Sequence, residues 1–253
     1  MNPVIVKNCR IGEGRVKIIV PIVGVTQQAI LAEAATFHDI PVDVVEWRID
    51  WYEDGCCAQK VIETAALLQQ TLGDIPLLCT FRTSKEGGER AIEPQAYAQL
   101  LKDVCASGTV DMIDVEIFTG DAIVADVIAA AHAAGVKVIA SNHDFHKTPS
   151  RSDIVYRLRK MQDMGADIPK IAVMPQSKKD VLTLLAATEE MATDFADRPI
   201  ITMSMGGLGV ISRLVGESMG SAMTFGAASK ASAPGQIGVK ELDGVLDVIH
   251  RSL

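Results

Sequence analysis

Eight apolar, strand-like runs alternate with helix-like stretches along this 253-residue chain, and the alternation predicts an α/β fold, a closed (β/α)8 TIM barrel. Eight units in about 250 residues fit a closed barrel better than an open sheet. No Pro/Gly/Ser-rich linker interrupts them, so residues 1–253 read as one domain. The turn after the first long strand, Pro21-Ile22-Val23-Gly24-Val25-Thr26, holds a single glycine. An open dinucleotide-binding sheet would carry a glycine-rich phosphate turn there.

The elements follow in order. A short N-terminal hairpin is expected over residues 4–11, before the repeat begins. Residues 17–24 form an apolar strand, and Thr26 caps a helix reaching about residue 38. The next strand, 42–49, ends in charge at Glu46, Arg48 and Asp50. A helix over 59–72 stops at Gly73. From there one pattern recurs: a glycine ends a helix and an apolar strand follows within a few residues. Gly73 leads into strand 76–82, Gly108 into 110–116, Gly135 into 136–143 and Gly165 into 168–174. Helices over 94–106, 121–134 and 152–164 lie between these strands. Helix 178–193, strand 200–204, a glycine-rich turn with helix 210–216, strand 221–225 and helix 239–250 complete the chain.

Hydrophobic residues make up 48% and charged residues 22%, the balance of a water-soluble fold with a large core. The net charge of -8 gives no broad attraction to nucleic acid or an anionic membrane. No apolar segment is long enough to span a bilayer, and Lys7, Arg10, Glu13 and Arg15 interrupt any signal-like run, so a cytoplasmic protein is expected. The five cysteines, Cys9, Cys56, Cys57, Cys79 and Cys105, contain no CxxC pair and no histidine at ligand spacing. Free thiols in a reducing compartment are expected.

The strand 168–174 carries one residue out of character, Lys170. An ammonium within an apolar strand is paired, neutral or chemically used, unless the strand is an edge and its head reaches solvent. In a (β/α)8 barrel the C-terminal strand ends share one mouth, where the chemistry sits. Those ends supply Glu46 and Arg48, Arg82, Glu116, His143, Lys170, then Met203 and Met205. The following loops add Glu86, Arg213, Ser232 and Gln236. Lys170 becomes a candidate nucleophile that forms an imine with a carbonyl substrate. His143 is the candidate proton carrier. The cationic residues Arg48, Arg82 and Arg213 would attract an anionic substrate and favour the free amine of Lys170, although salt bridges to Glu46 or Glu116 explain each arginine equally well. Asn142-His143-Asp144-Phe145-His146 also suggests a metal site, but Lys170 would then be surplus, so Asp144 and His146 read as loop residues.

Seven blocks in order carry a family resemblance. They are Glu46-Trp47-Arg48-Ile49-Asp50; Thr80-Phe81-Arg82 with Lys85-Glu86-Gly87-Gly88; Ser141-Asn142-His143-Asp144-Phe145-His146; Pro169-Lys170-Ile171-Ala172-Val173-Met174-Pro175; Met203-Ser204-Met205; Ser212-Arg213; and Ser232-Ala233-Pro234-Gly235-Gln236. Together they closely resemble type I 3-dehydroquinate dehydratase of the shikimate pathway, and they span nearly the whole chain. The resemblance implies a homodimeric barrel that forms a Schiff base and needs no metal or other cofactor. It implies Lys170 as nucleophile, His143 as general acid and base, and Glu86 as the residue that orients His143. Arg213 would anchor the substrate carboxylate. Glu46, Arg48 and Arg82 would hold the ring hydroxyls and the electrostatics, Ser232 and Gln236 would form a lid, and Met203, Met205 and Phe225 an apolar wall.

Two departures stand out. Pro21 occupies the place where members often carry a serine, so one substrate hydroxyl loses a side-chain donor. The turn Gly206-Gly207-Leu208-Gly209 is richer in glycine and less charged than expected, which bears on where Arg213 sits. Competing readings are another Schiff-base barrel enzyme of class I aldolase type, and a metal-dependent isomerase or hydrolase using Glu46, Glu116, His143 and His146.

Overall fold

Eight parallel strands form the barrel in this computed structural model, which describes residues 2–228 and 232–253. They are β3 (Lys17–Ile22), β4 (Val44–Arg48), β5 (Leu77–Thr80), β6 (Met112–Glu116), β7 (Lys137–Asp144), β8 (Ile168–Val173), β9 (Ile201–Ser204) and β10 (Met223–Ala227). Neighbours pair in sequence order, and β10 pairs back onto β3. Between β9 and β10 the seam is narrow: a parallel bridge joins Ile200 and Ser221, and the Ala222 amide donates to the Ile200 carbonyl at 2.8 Å. That contact closes the barrel.

Helices α1 (Gln27–Ala35), α2 (Ala58–Leu72), α3 (Pro94–Ala106), α4 (Asp121–Ala133), α5 (Arg151–Asp163) and α6 (Lys178–Glu190) connect successive strands. The short α7 (Val210–Leu214) and α8 (Gly216–Met219) lead to β10, and α9 (Val239–His250) ends the chain. Local chemistry explains the ends. Thr26 and Ser150 accept from backbone amides at the starts of α1 and α5, and Ser177 with Asp180 forms a capping box on α6. The four glycines expected to lead into strands, Gly73, Gly108, Gly135 and Gly165, all take positive φ, a conformation that opposes a Cβ.

Several boundaries differ from the sequence reading. The expected helix to residue 38 ends at Ala35 and tightens into a 3-10 turn, Thr36–Asp39. The helix expected to 193 becomes a π turn at Met191–Phe195. The expected helix 210–216 breaks at Val215 into α7 and α8. The last barrel strand runs Met223–Ala227, two residues later than expected, and pairs with a short strand β11 (Ile237–Gly238) that composition did not reveal.

Each barrel strand is buried on both faces, which explains the nearly continuous apolar runs. Outward residues such as Ile18, Val20, Val45, Trp47 and Ile113 pack under the helices. Inward residues Ile19, Val44, Leu78, Met112, Ile139, Ile168, Ile201 and Met223 form a separate apolar cluster low in the barrel. The hairpin of β1 (Val4–Val6) and β2 (Cys9–Ile11) inserts Val4, Val6 and Ile11 into that cluster. It therefore plugs the N-terminal end, and polar side chains are confined to the other half of the lumen.

Candidate active site

Two residues above the apolar floor, the inward positions of β4 to β8 turn polar, while β3, β9 and β10 place Pro21, Met203 and Phe225 there. Strand β4 presents Glu46 and Arg48, β6 presents Asp114 and Glu116, β7 presents Ser141 and His143, and β8 presents Lys170. The period of two along each strand puts these side chains on the lumen side. The twelve residues to which the family resemblance gives a role line one cavity of about 470 Å³, part of it open to solvent, together with Gly87, Phe145, Ala172 and Ala233; the strand-end candidate Glu116 lies outside it.

Lys170 is buried, so the edge-strand reading is set aside. Its Nζ lies 3.3 Å from Asp114 Oδ2, 3.9 Å from Glu46 Oε1 and 4.7 Å from the centroid of the Phe225 ring. Carboxylates and an aromatic face are thus its immediate neighbours, rather than the arginine surround expected from sequence. Burial pushes the Asp114 carboxyl up, but Arg82, then Lys170 and the Ser141 hydroxyl, outweigh it and hold that carboxyl below its ordinary value. Glu46 accepts from Thr80 Oγ1 at 3.0 Å.

Arg82 ties the acidic groups together. Its Nη1 donates to Glu116 Oε1 and Ser141 Oγ, both at 3.0 Å, and its Nη2 lies 2.8 Å from Asp114 Oδ1, close in distance but not aligned as a hydrogen bond. Glu116 also accepts from the amide and hydroxyl of Thr83, at 2.8 and 2.7 Å. A buried cation held by several carboxylates cannot be deleted cheaply. Arg82→Met is expected to destabilise the fold by about 3–5 kcal/mol in a urea melt, because Asp114 and Glu116 stay buried without their cation. An unchanged melt would show that these carboxylates take up protons at little cost.

Arg48 grips Asp50 through two parallel bonds, Nε to Oδ1 at 2.8 Å and Nη2 to Oδ2 at 2.7 Å. Asp50 also accepts the amides of Arg82 and Glu89 at 3.2 and 3.1 Å, so it fixes both the Arg48 fork and the loop that carries Glu86.

Glu86 ends a 3-10 turn, Ser84–Glu86, and reaches β7. Its Oε2 accepts the His143 amide at 2.9 Å and sits 2.9 Å from His143 Nδ1. Its Oε1 accepts from Asn142 Nδ2 at 3.1 Å. Burial pushes the Glu86 carboxyl up to about 8, against the pull of Arg82. His143 is driven well below the ordinary imidazole range by burial first, then by Arg82, Lys170 and Arg48. Neutral imidazole is therefore favoured, and with Nδ1 engaged by Glu86 its Nε2 is the nitrogen open to a ligand.

Arg213 forms no ion pair among the described residues. It is 1% exposed, and burial pulls its guanidinium down to about 10. Its Nη2 donates to the Pro234 carbonyl at 3.0 Å, Nη1 meets Met203 Sδ at 3.8 Å, and Nε has no hydrogen-bond partner among the described residues. The glycine-rich turn does not leave it loose. Ser212 Oγ donates to the Gly209 carbonyl at 2.7 Å and accepts the Ser204 amide at 2.9 Å, which pins α7 to the end of β9. The Gly206 amide donates to Pro234 at 3.1 Å, and a Cβ on Gly235 would lie 2.5 Å from the Gly206 carbonyl oxygen. The segment around Pro234 and Gly235 and the turn thus pack backbone to backbone. Within that segment, Ser232 and Gln236 exchange two hydrogen bonds, at 2.9 and 3.1 Å. Pro21 pairs in register with Glu46 and offers no donor to the lumen.

Asp144, expected in a loop, ends β7 and accepts the His146 and Lys147 amides at 3.0 Å; His146 is exposed, as expected of a loop residue. Among the described residues, no group of three or more His, Cys, Asp or Glu is arranged to hold a metal ion. The sequence reading gave no role to Asp114, or to Asp50, Ser141 and Asn142, which it quoted only within the matching blocks. Asp114 was detectable, since it lies two positions before Glu116 and so shares its inward face.

A family model for type I 3-dehydroquinase matches residues 18–252. A 3-dehydroquinate dehydratase from Clostridioides difficile is 54% identical over 248 residues, 98% of this chain and 97% of that one. An Escherichia coli O1:K1 3-dehydroquinate dehydratase is 54% identical over 252 residues, covering 100% of both. The solved type I enzyme from Clostridium difficile, with covalent modified comenic acid, superposes at a TM-score of 0.97 over 99% of each chain, again at 54% identity. The 3-dehydroquinate dehydratase from Enterococcus faecalis gives 0.92 at 48% identity, over 97% of this chain and 99% of that one. With the barrel, the cavity and these matches in agreement, the chain belongs to the type I 3-dehydroquinase family.

Proposed function

We propose that this protein dehydrates 3-dehydroquinate to 3-dehydroshikimate and water through an imine on Lys170. The observation that carries this reading is the pairing, in one cavity, of a buried lysine and a Glu86-held histidine with the unmatched guanidinium of Arg213. An anionic carbocyclic ketone satisfies all three.

Lys170 passes a proton to Glu46, the acceptor within reach once Asp114 is held ionised by Arg82, and its amine attacks the C3 carbonyl. Loss of water gives an iminium, which withdraws electrons from C3 and acidifies the C2–H bond. His143 Nε2 takes that proton, and the C2–H electron pair forms the enamine. The enamine expels the C1 hydroxyl, to which protonated His143 returns the proton, so the group leaves as water. A second water hydrolyses the conjugated iminium, freeing 3-dehydroshikimate and the Lys170 amine. Glu46 and Arg48 hold the ring hydroxyls, Arg82 sets the electrostatics, Ser232 and Gln236 cover the ring, and Met203, Met205 and Phe225 wall the apolar side.

The solved Clostridium difficile relative, with covalent modified comenic acid, supports a covalent step in this site. A homodimer is inferred from the family resemblance alone, and a cytoplasmic location from the charges that interrupt the N-terminal run and the lack of a spanning segment. Arg213→Leu is expected to raise KM for 3-dehydroquinate by on the order of 10- to 100-fold, because a charged hydrogen bond to the carboxylate is lost. A wild-type KM in that variant places the carboxylate elsewhere. The activity itself is read by ultraviolet absorbance, since 3-dehydroshikimate is a conjugated enone and 3-dehydroquinate is not. No absorbance rise with purified protein, or loss of the rise on adding a chelator, refutes this function or its metal-free chemistry.

A further inference from the structure

Outside the barrel wall, Arg157 on α5 touches neither cavity nor ligand space, yet it reaches the catalytic pair through one side chain. Its Nη1 donates to Asn142 Oδ1 at 2.8 Å, and its Nη2 donates to Asp153 Oδ2 at 2.8 Å, one turn earlier on the same helix. Its guanidinium carbon also stands 5.6 Å from the centroid of the Phe118 ring. Asn142 is buried and faces outward, and its Nδ2 donates to Glu86 Oε1 at 3.1 Å.

An asparagine amide has one accepting and one donating end, and rotation by half a turn exchanges them. Arginine only donates. With Arg157 on one side, the Asn142 oxygen must face it and the NH2 must face Glu86. That orientation makes Glu86 Oε1 an acceptor. Its Oε2 already accepts the His143 amide. With donors on both oxygens, the proton shared between Glu86 and His143 is driven onto Nδ1, and Nε2 is left as the base. The opposite amide orientation would place oxygen against Glu86 and require a proton on the carboxyl.

We propose that Arg157 is a positioning residue that sets the tautomer of the catalytic histidine, acting through the fixed amide of Asn142 and the Glu86 carboxylate. The inference rests on the role of His143 given under the proposed function. The charged groups around the relay are Arg82, Asp114 and Glu116 beside Glu86, Lys170 and Arg48 beside His143, and Asp153 beside Arg157. Among the described residues the Asn142 amide bonds to Arg157 and to Glu86, and of the two Arg157, which only donates, must take its oxygen end. Burial alone favours a protonated Glu86, and donation from Asn142 opposes it, so the amide acts where the balance is close.

The test compares Arg157→Met, Arg157→Lys and Asp153→Asn by steady-state kinetics and by nitrogen NMR of histidine-labelled protein. In the parent protein His143 is expected to carry its proton on Nδ1. Arg157→Met shifts it towards Nε2, lowers kcat about 10-fold, a fraction of what a general base contributes, and leaves KM within about twofold. Arg157→Lys, which restores a donor, recovers most of kcat. Asp153→Asn keeps the Asn142 contact and changes kcat less than about twofold. An unchanged His143 tautomer in folded Arg157→Met overturns the proposal, as does an Asp153→Asn loss as large as that of Arg157→Met. Borohydride trapping on the same samples separates the two levels. Parent protein that forms no Lys170 adduct refutes the imine mechanism, whereas normal trapping with an unmoved tautomer refutes only the role of Arg157.

Discussion

Lys170→Ala is expected to lower kcat by at least about 10⁴-fold and to leave a folded protein that still binds substrate. The physical reason is the loss of the electron sink. Without an iminium, the C2 proton must be removed beside a neutral ketone, with only the surrounding dipoles to stabilise the developing charge. The fold should tolerate the change. Asp114 keeps Arg82 and Ser141 as partners, and Glu46 keeps Thr80. Replacing the lysine removes a buried cation from a group of carboxylates that retain other partners, a milder loss than removing Arg82. Stability and turnover should therefore separate: thermal unfolding moves by a few degrees while turnover disappears. A variant with a tenth of the parent rate would mean that the amine is dispensable.

His143→Ala is expected to cost about 10²–10⁴-fold in kcat, with a different signature. Imine formation does not require this imidazole, so the covalent complex should accumulate and remain trappable, while exchange of the C2 proton with solvent stops. The pH dependence follows from its surroundings. Burial, Arg82, Lys170 and Arg48 drive the imidazole below its ordinary range, so the neutral base persists through neutral pH and is lost only in more acidic solution. The same shift affects stability. A histidine with a depressed folded value binds its proton more readily in the unfolded chain, so acid favours unfolding. His143→Ala removes that liability, and the variant should lose less stability than the parent protein as pH falls through the unfolded imidazole value of about 6.5. Full turnover by the variant would assign the base to another group.

The fold was legible because its signals are local. Apolar runs, glycines at helix ends and polar strand ends each follow from a few neighbouring residues. Boundaries that depend on tertiary contacts were less so: β10 sits two residues later than its apolar run suggests because its register is set by β3, and β11 exists only because β10 offers it an edge. The role of the hairpin as a barrel floor was also hidden, since Val4, Val6 and Ile11 gain meaning only from the lumen they fill. The strand ends converged on one cavity, as the barrel topology requires. What the residue types did not reveal was pairing. Lys170 sits against Asp114 rather than among arginines, Arg82 is held by carboxylates, and Arg213 pairs with no carboxylate among the described residues. Partners that far apart in sequence leave no spacing to read. Asn142 and Arg157 carry even less signal, because an outward amide and a helix-surface arginine look ordinary until their contacts are seen.

The most direct measurement is reduction of the protein with borohydride in the presence of 3-dehydroquinate, followed by mass mapping of the adduct. An imine mechanism predicts a single covalent adduct on Lys170, absent from Lys170→Ala and retained in His143→Ala. Turnover without any trappable adduct, or an adduct on a different lysine, would contradict it.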